Sequence, residues 1–278
     1  MKKTPFVLLA LIFAFSNCKK ETTPTAPAPC SIVYSAWSCC SNNLLTRTYS
    51  LSSTNCTDIP PVDSLQRDCV MPKEVIIGSQ VWTATNLDVS TYRNGDSIPH
   101  VQDATTWATL TTGAWCYFNN NSTNGTKYGK LYNGYAVNDT RGLAPTGYHI
   151  PTDAEWDILR DYLGNIYILP GYPINTLLAK NMKSTTGWKK GMKPGNYIYY
   201  VDGNGTNVTC FAGLPGGMRN NDGYFCESES YSYWWTSKDS APNPTLKSSV
   251  WFMWHSDTYF SNGYFNINSA YSVRCIKD

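Results

Sequence analysis

The chain is short of the residues that most enzyme templates need. Its 278 residues include only three histidines, His100, His149 and His255, which lie far apart. None of its ten cysteines sits in a C-x-x-C spacing, and both facts argue against a zinc site. There is no G-x-S-x-G elbow, no H-E-x-x-H and no glycine loop cradling phosphate ahead of a lysine. No pair of carboxylates can be singled out for glycoside hydrolysis, because sequence does not set their separation. Charge is sparse and balanced: 15% charged residues and a net charge of +2, which argues against a nucleic-acid surface. No apolar run is long enough to span a bilayer comfortably.

What is present begins with an export signal. Lys2 and Lys3 precede the apolar run from Pro5 to Phe15, and the run closes on Phe15-Ser-Asn-Cys18. Residues 1–17 read as a lipoprotein signal peptide, with Cys18 as the lipidated residue of a bacterial lipobox. The alternative is an ordinary secretory signal with a coincidental Cys. Residues 18–29, rich in Pro and Thr, form a tether in the polyproline manner. These features predict a bacterial envelope protein, lipid-anchored to the outer membrane.

Residues 30–70 are too few for a full apolar core and carry Cys30, Cys39, Cys40, Cys56 and Cys69. This Cys-rich module is weakly similar to a thrombospondin type 1 repeat, in which Trp37 and Arg47 would form one cation-π layer. An unclassified Cys-rich spacer is the preferred reading. Four further cysteines, Cys116, Cys210, Cys226 and Cys275, fall in the remainder. Export favours disulfides. Of the three connectivities, Cys210–Cys226 across a hairpin and Cys116–Cys275 to the last strand are preferred.

Local chemistry outlines the main domain. Val75 to Trp82 reads as a hairpin about Gly78-Ser79, and Arg93-Asn-Gly-Asp96 as a turn. Asp103 caps a short helix through Leu110 that buries Trp107. Thr152 and Glu155 form a capping box, after which Trp156, Leu159 and Leu163 share a face and Gly164 ends the run. Helix-start chemistry therefore explains Asp153, Glu155 and Asp157 better than a metal does. A weaker helix covers Asn175 to Met182. Leu214 to Phe225 turns through Asp222-Gly223, with calcium at Asn220, Asn221 and Asp222 as a minority alternative. The alternating segment Tyr271 to Ile276 would pair beside Val75–Val81.

Several blocks occur in one order: Val75-Ile-Ile-Gly-Ser-Gln-Val-Trp82, Arg93-Asn-Gly-Asp96, Tyr128-Gly-Lys-Leu-Tyr132 and Gly147-Tyr-His-Ile-Pro-Thr-Asp-Ala-Glu-Trp156. Leu214-Pro-Gly-Gly217, Asn220-Asn-Asp-Gly223, Trp234-Trp-Thr-Ser237 and Ser272-Val-Arg-Cys-Ile-Lys-Asp278 follow. Together they resemble the Fibrobacter succinogenes major paralogous domain, a family of secreted and surface lipoproteins, over roughly residues 73–278, within a domain set at 71–278. The Pro-Thr-Asp-Ala-Glu-Trp stretch is also similar to the formylglycine-generating and sulfatase-modifying group. The resemblance implies an α+β, C-type-lectin-like domain: a twisted antiparallel sheet with two helices and long loops, following the small Cys-rich module. No cofactor is expected.

Aromatics make up 14% of the chain, with 10 Trp and 20 Tyr. In Lys247 to His255, Trp251, Met253 and His255 share one face while Phe252 and Trp254 share the other. One face is expected to be core. The other, with Tyr259, Asn262, Tyr264 and Asn266, would form a platform whose rings cover sugar faces and whose amides bond hydroxyls. The ligand-binding candidates are therefore Trp251, Trp254, Tyr259, Asn262, Tyr264 and Asn266. Trp234 and Trp235, adjacent in a strand, point opposite ways and are read as mostly structural. The expectation is a non-catalytic envelope lipoprotein that binds a glycan or an envelope or extracellular protein. The alternatives are a structural envelope component and, as the resemblance to the formylglycine-generating group implies, an oxidase or modifying enzyme, although Cys226 and Cys275 sit outside that group's copper-holding Cys motif.

Overall fold

The computed structural model describes residues 73–166, 177–193, 196–237, 247–256 and 258–278, with four short strands before them. Those four are β1 (Ile32–Tyr34), β2 (Leu44–Thr46), β3 (Tyr49–Leu51) and β4 (Gln66–Asp68), paired β1 with β3 and β2 with β4. The signal peptide, Cys18, the tether, the Trp37–Arg47 layer and the five cysteines of the first module lie outside the described residues.

Strands then follow as β5 (Glu74–Ile77), β6 (Gln80–Thr83), β7 (Trp115–Cys116), β8 (Leu131–Asn133), β9 (Tyr148–His149), β10 (Gly191–Lys193) and β11 (Asn196–Val201). They continue as β12 (Met218–Arg219), β13 (Phe225–Cys226), β14 (Tyr231–Trp235), β15 (Lys247–Trp254), β16 (Phe260–Asn266), β17 (Ala270–Tyr271) and β18 (Ile276–Lys277). The helices are α1 (Ala104–Ala108), α2 (Ser122–Tyr128), α3 (Gly134–Val137), α4 (Asp153–Ile166) and α5 (Leu178–Met182). The three larger sheets run β5-β6-β18-β9, β13-β12-β17-β8-β7 and β14-β15-β16, and their ladders are antiparallel. The architecture is α+β. Among the described residues no helix is long and apolar enough to cross a membrane.

The local chemistry explains the element ends. Gly78 makes the β5–β6 turn at φ +62, a conformation that disfavours side chains. Asp103 Oδ1 accepts from the Thr106 N–H and caps α1, which ends at Ala108 with Trp107 buried. At α4, the Thr152 N–H donates to Glu155 Oε2 at 2.8 Å and the Glu155 N–H donates to Thr152 Oγ1 at 3.2 Å. That is the expected capping box. Gly164, however, does not end α4: the helix carries on to Ile166, with Gly164 buried on its inner face. Gly164 is thus a buried position of the helix rather than its terminator. α5 occupies the later part of the expected Asn175–Met182 helix, whose first two residues lie outside the described ones.

The expected closing strand is divided: Tyr271 belongs to β17 beside β8, and only β18 joins the first sheet, with Ile276 opposite both Trp82 of β6 and His149 of β9. This ties the end of the domain to its beginning. The core over it is largely aromatic: Trp156 of α4 lies 4.5 Å from Trp82 and 6.2 Å from Trp251, ring centre to centre. Leu159, Leu163, Met182, Phe211, Trp234 and Phe260 complete that cluster. Trp235 faces the other way, into a second cluster with Tyr92, Tyr132, Tyr271 and Cys275. The adjacent tryptophans thus divide between two cores, and both are fully buried. A third cluster gathers Trp107, Cys116, Phe118 and Leu131.

Candidate functional site

The late aromatic hairpin does have two faces: α4 covers one, and on the other Val250 and Phe252 pack into the Trp235 cluster. Asp153, the first residue of α4, accepts from Ser249 Oγ at 2.7 Å and Trp251 Nε1 at 2.9 Å. These bonds draw the Trp251 face of β15 against the helix. Trp251 and Met253 become core at 0% exposure, with Trp251 packed between Trp156 and Phe260. Phe252 and Trp254 are left half-buried on the opposite face.

The register of β16 overturns part of the expected platform. Directly opposed residues in an antiparallel ladder share a face. Asn262 opposes Trp251, Tyr264 opposes Ser249 and Asn266 opposes Lys247. The three therefore belong to the Trp251 face, at the open edge of the sheet beyond α4, and all three are exposed. Trp254 does not join them. It stacks on Tyr231 at 5.9 Å on the other face, where Tyr233, Phe252 and Phe265 continue an aromatic ladder. Trp251 is not a platform ring either, since its faces meet aromatic neighbours and its N–H is taken by Asp153.

What forms is a shallow cleft of about 450 Å³ between α4 and the hairpin, with Tyr259 and Asn262 on one side and Arg160 and Asp161 on the other. Trp251 and Phe260 supply the floor. Arg160 is held in place by Asp157 Oδ1 at 2.5 Å and Asp161 Oδ1 at 2.9 Å, an i,i+3 pair and its neighbour. Its guanidinium carbon lies 5.6 Å from the Trp251 ring centre. Tyr259 is 48% exposed. Asn266 lines a different groove, beside Tyr135, Asn221 and Asn268. The cleft thus unites three of the expected residues, Tyr259 and Asn262 at its side and Trp251 in its floor, with two that the sequence reading passed over. The signal for Arg160 and Asp161 was their position on the solvent side of an otherwise well-marked amphipathic helix.

Residues 75–277 match the sequence model of the Fibrobacter succinogenes major domain. The chain belongs to that family. No curated protein and no solved structure matches it. The family blocks of this Fibrobacter major domain now have physical roles. Lys130 of the Tyr128-Gly-Lys-Leu-Tyr132 block pairs with Asp88 at 2.6 Å, and Arg93 donates to Ala144 O and Tyr148 O. Arg219, fully buried, reaches Gly223 O, Val101 O and Gln102 O beneath the Trp107 ring.

The cysteines of the domain require a correction. Cys116, Cys226 and Cys275 are free thiols, so neither Cys210–Cys226 nor Cys116–Cys275 is formed. Cys116 is interior to the Trp107 cluster and Cys275 to the Trp235 cluster, while Cys210, which lies against the Trp156 cluster, is itself disulfide-bonded and so does not pair with Cys226. Burial pushes the Cys116 and Cys275 thiols up to about 12 and raises that of Cys226. The hairpin expected to need a disulfide is closed instead by its own turn, where the Tyr224 N–H donates to Asp222 Oδ1 and the Asn220 N–H to Tyr224 O. Asn220 and Asp222 use side-chain oxygens on local N–H groups, which is turn chemistry rather than cation coordination.

Proposed function

We propose that this protein is a non-catalytic, lipid-anchored envelope protein whose Fibrobacter major domain recognises a glycan at the cleft between α4 and the β15–β16 hairpin. The observation that carries the reading is the composition of that cleft: an exposed Tyr259 ring beside the Asn262 amide, facing the paired Arg160 and Asp161. An aromatic face covers the apolar side of a pyranose, and amide, guanidinium and carboxylate groups exchange hydrogen bonds with its hydroxyls. The shallowness of the site suits an extended saccharide rather than an enclosed small molecule.

The C-type-lectin-like assignment belongs to the same proposal. It is supported by the pairing of the last strand with the first hairpin and by the placing of the cleft on the late hairpin. The lipid anchor and outer-membrane location rest on the Phe15-Ser-Asn-Cys18 run and the tether after it.

The test is a glycan array probed with the full chain and with Tyr259→Ala, Asn262→Ala and Arg160→Ala variants of unchanged melting temperature. Loss of a glycan signal in these variants is the expected result. A signal that all three retain would move the site elsewhere. Silence across the array would replace the glycan with a protein partner, to be sought by cross-linking in intact envelopes.

A further inference from the structure

A second cleft, of about 400 Å³, opens where the segment after β6, the end of α2 and the approach to β18 meet. Asn86, Asp88, Gly125, Lys127, Gly129 and Arg274 are among its lining residues. Arg274 is 1% exposed, and its surroundings are unusual for a buried cation. Its Nη1 donates to Phe211 O at 2.6 Å and Thr83 O at 3.2 Å, while Nε and Nη2 share Asn86 Oδ1 at 3.3 and 3.1 Å. The guanidinium carbon lies 4.3 Å from the Phe211 ring centre. These neighbours are neutral. A guanidinium has five N–H donors, and among the described residues no acceptor meets the second N–H of Nη2.

The charge of Arg274 is therefore not balanced within the described fold. Asp88, the acid at the cleft, is engaged by Lys130 at 2.6 Å. Lys127, exposed on α2, adds a second positive charge and has no carboxylate partner among the described residues. Its Nζ rests 4.7 Å from the Tyr128 ring centre. Gly125 and Gly129 bring backbone to the cleft wall: a Cβ at Gly125 would strike the Tyr117 ring, and Gly129 holds φ +75 with no room for a Cβ against Leu87 O. Burial also drags the Arg274 guanidinium down to about 9, so a bound anion would relieve an existing penalty.

We propose that this cleft binds an oxyanion, the carboxylate, sulfate or phosphate group of a ligand, with Lys127 at its rim and Arg274 at its floor. A planar fork beside an open space, with an exposed ammonium at the rim, is the arrangement that recognises such groups. The site does not depend on the glycan cleft, and either stands if the other falls.

The experiment is a titration of the full chain with sodium sulfate, inorganic phosphate and sodium glucuronate, each against chloride at matched ionic strength. Calorimetry and amide chemical shifts supply the readouts. At least one anion should saturate at one site and move the amides of Gly125, Thr126 and Gly129, and the anion that does so names the class. Lys127→Glu should weaken it at least about tenfold, since one charge-assisted contact is lost and repulsion replaces it. Arg274→Lys, which keeps the charge but loses the fork, should weaken it too. Lys127 is exposed, so its variant decides the matter even if Arg274→Lys does not fold. The proposal is overturned if none of the anions exceeds chloride, if the shifted amides lie elsewhere, or if Lys127→Glu binds unchanged.

Discussion

Trp251 Nε1 donates to Asp153 Oδ1 at 2.9 Å, and that bond separates a residue of the fold from a residue of the site. Asp153 also accepts from Ser249 Oγ, so one carboxylate at the start of α4 fixes the hairpin's inner face. Asp153→Ala should cost about 1–3 kcal/mol, because two donors lose their charged acceptor. Urea unfolding of the variant checks it.

Trp251→Ala should behave as a core deletion. The ring is fully buried against Trp156 and Phe260, so about 3–5 kcal/mol of stability should go with it. Tyr259→Ala, by contrast, removes a half-exposed ring and should leave the unfolding midpoint nearly unchanged. Denaturation of the two variants side by side distinguishes floor from contact surface.

The free thiols predict a labelling order. Cys226, half-buried on β13, should react with a thiol reagent in the native protein, slowly because its thiol pKa is raised. Cys116 and Cys275 should react only once denaturant opens the cores. Peptide mass spectrometry reads this directly, and disulfide-linked peptides joining Cys116 to Cys275 would contradict the packing.

Two histidines should titrate in opposite senses. Burial lowers the pKa of His149, but its hydrogen bonds to Asp278 and Glu155, each 2.8 Å, outweigh this and hold the pKa above 6.5. Only the doubly protonated ring can donate at both nitrogens. Its contribution to stability is therefore full below 6.5 and is lost as pH rises through the raised value. His255 is the reverse: burial, with Lys189 and Lys183 nearby, brings it down to about 4. Its stability contribution is present above 6.5 and falls away as pH drops toward 4. Imidazole NMR titrations, with His149→Gln as the assignment control, check both.

Gly223 closes the β12–β13 turn at φ +87, and a Cβ there would come within 2.4 Å of Ala104 O. Gly223→Ala should cost at least about 1–3 kcal/mol, the strain of a left-handed residue with a clash added. A thermal melt measures it, and an unchanged melting temperature would mean that the turn can relax.

Much of the fold was legible because its causes are local. The Thr152–Glu155 box, the Gly78 turn, the Asp103 cap and the division of Trp234 from Trp235 each follow from residues a few positions apart. Gly164 misled for the same reason: a glycine near a helix end carries one local meaning, while its burial against the core carries another. The site was legible only in part. Alternation along Lys247–His255 marked two faces, and nothing in the strand itself says which of them a distant helix will cover.

The sequence by itself determined the family, the α+β class and the positions of the turns and caps, since short-range sterics and hydrogen bonding decide these. Only the tertiary structure decided that Trp251 is floor rather than platform, that Trp254 parts from Asn262, and that the three thiols stay separate. It also placed Arg274 against Asn86, a contact spanning 188 residues of chain, at the base of a cleft. Such outcomes depend on how whole elements pack, and packing is settled by the cores they bury together rather than by any one stretch of chain.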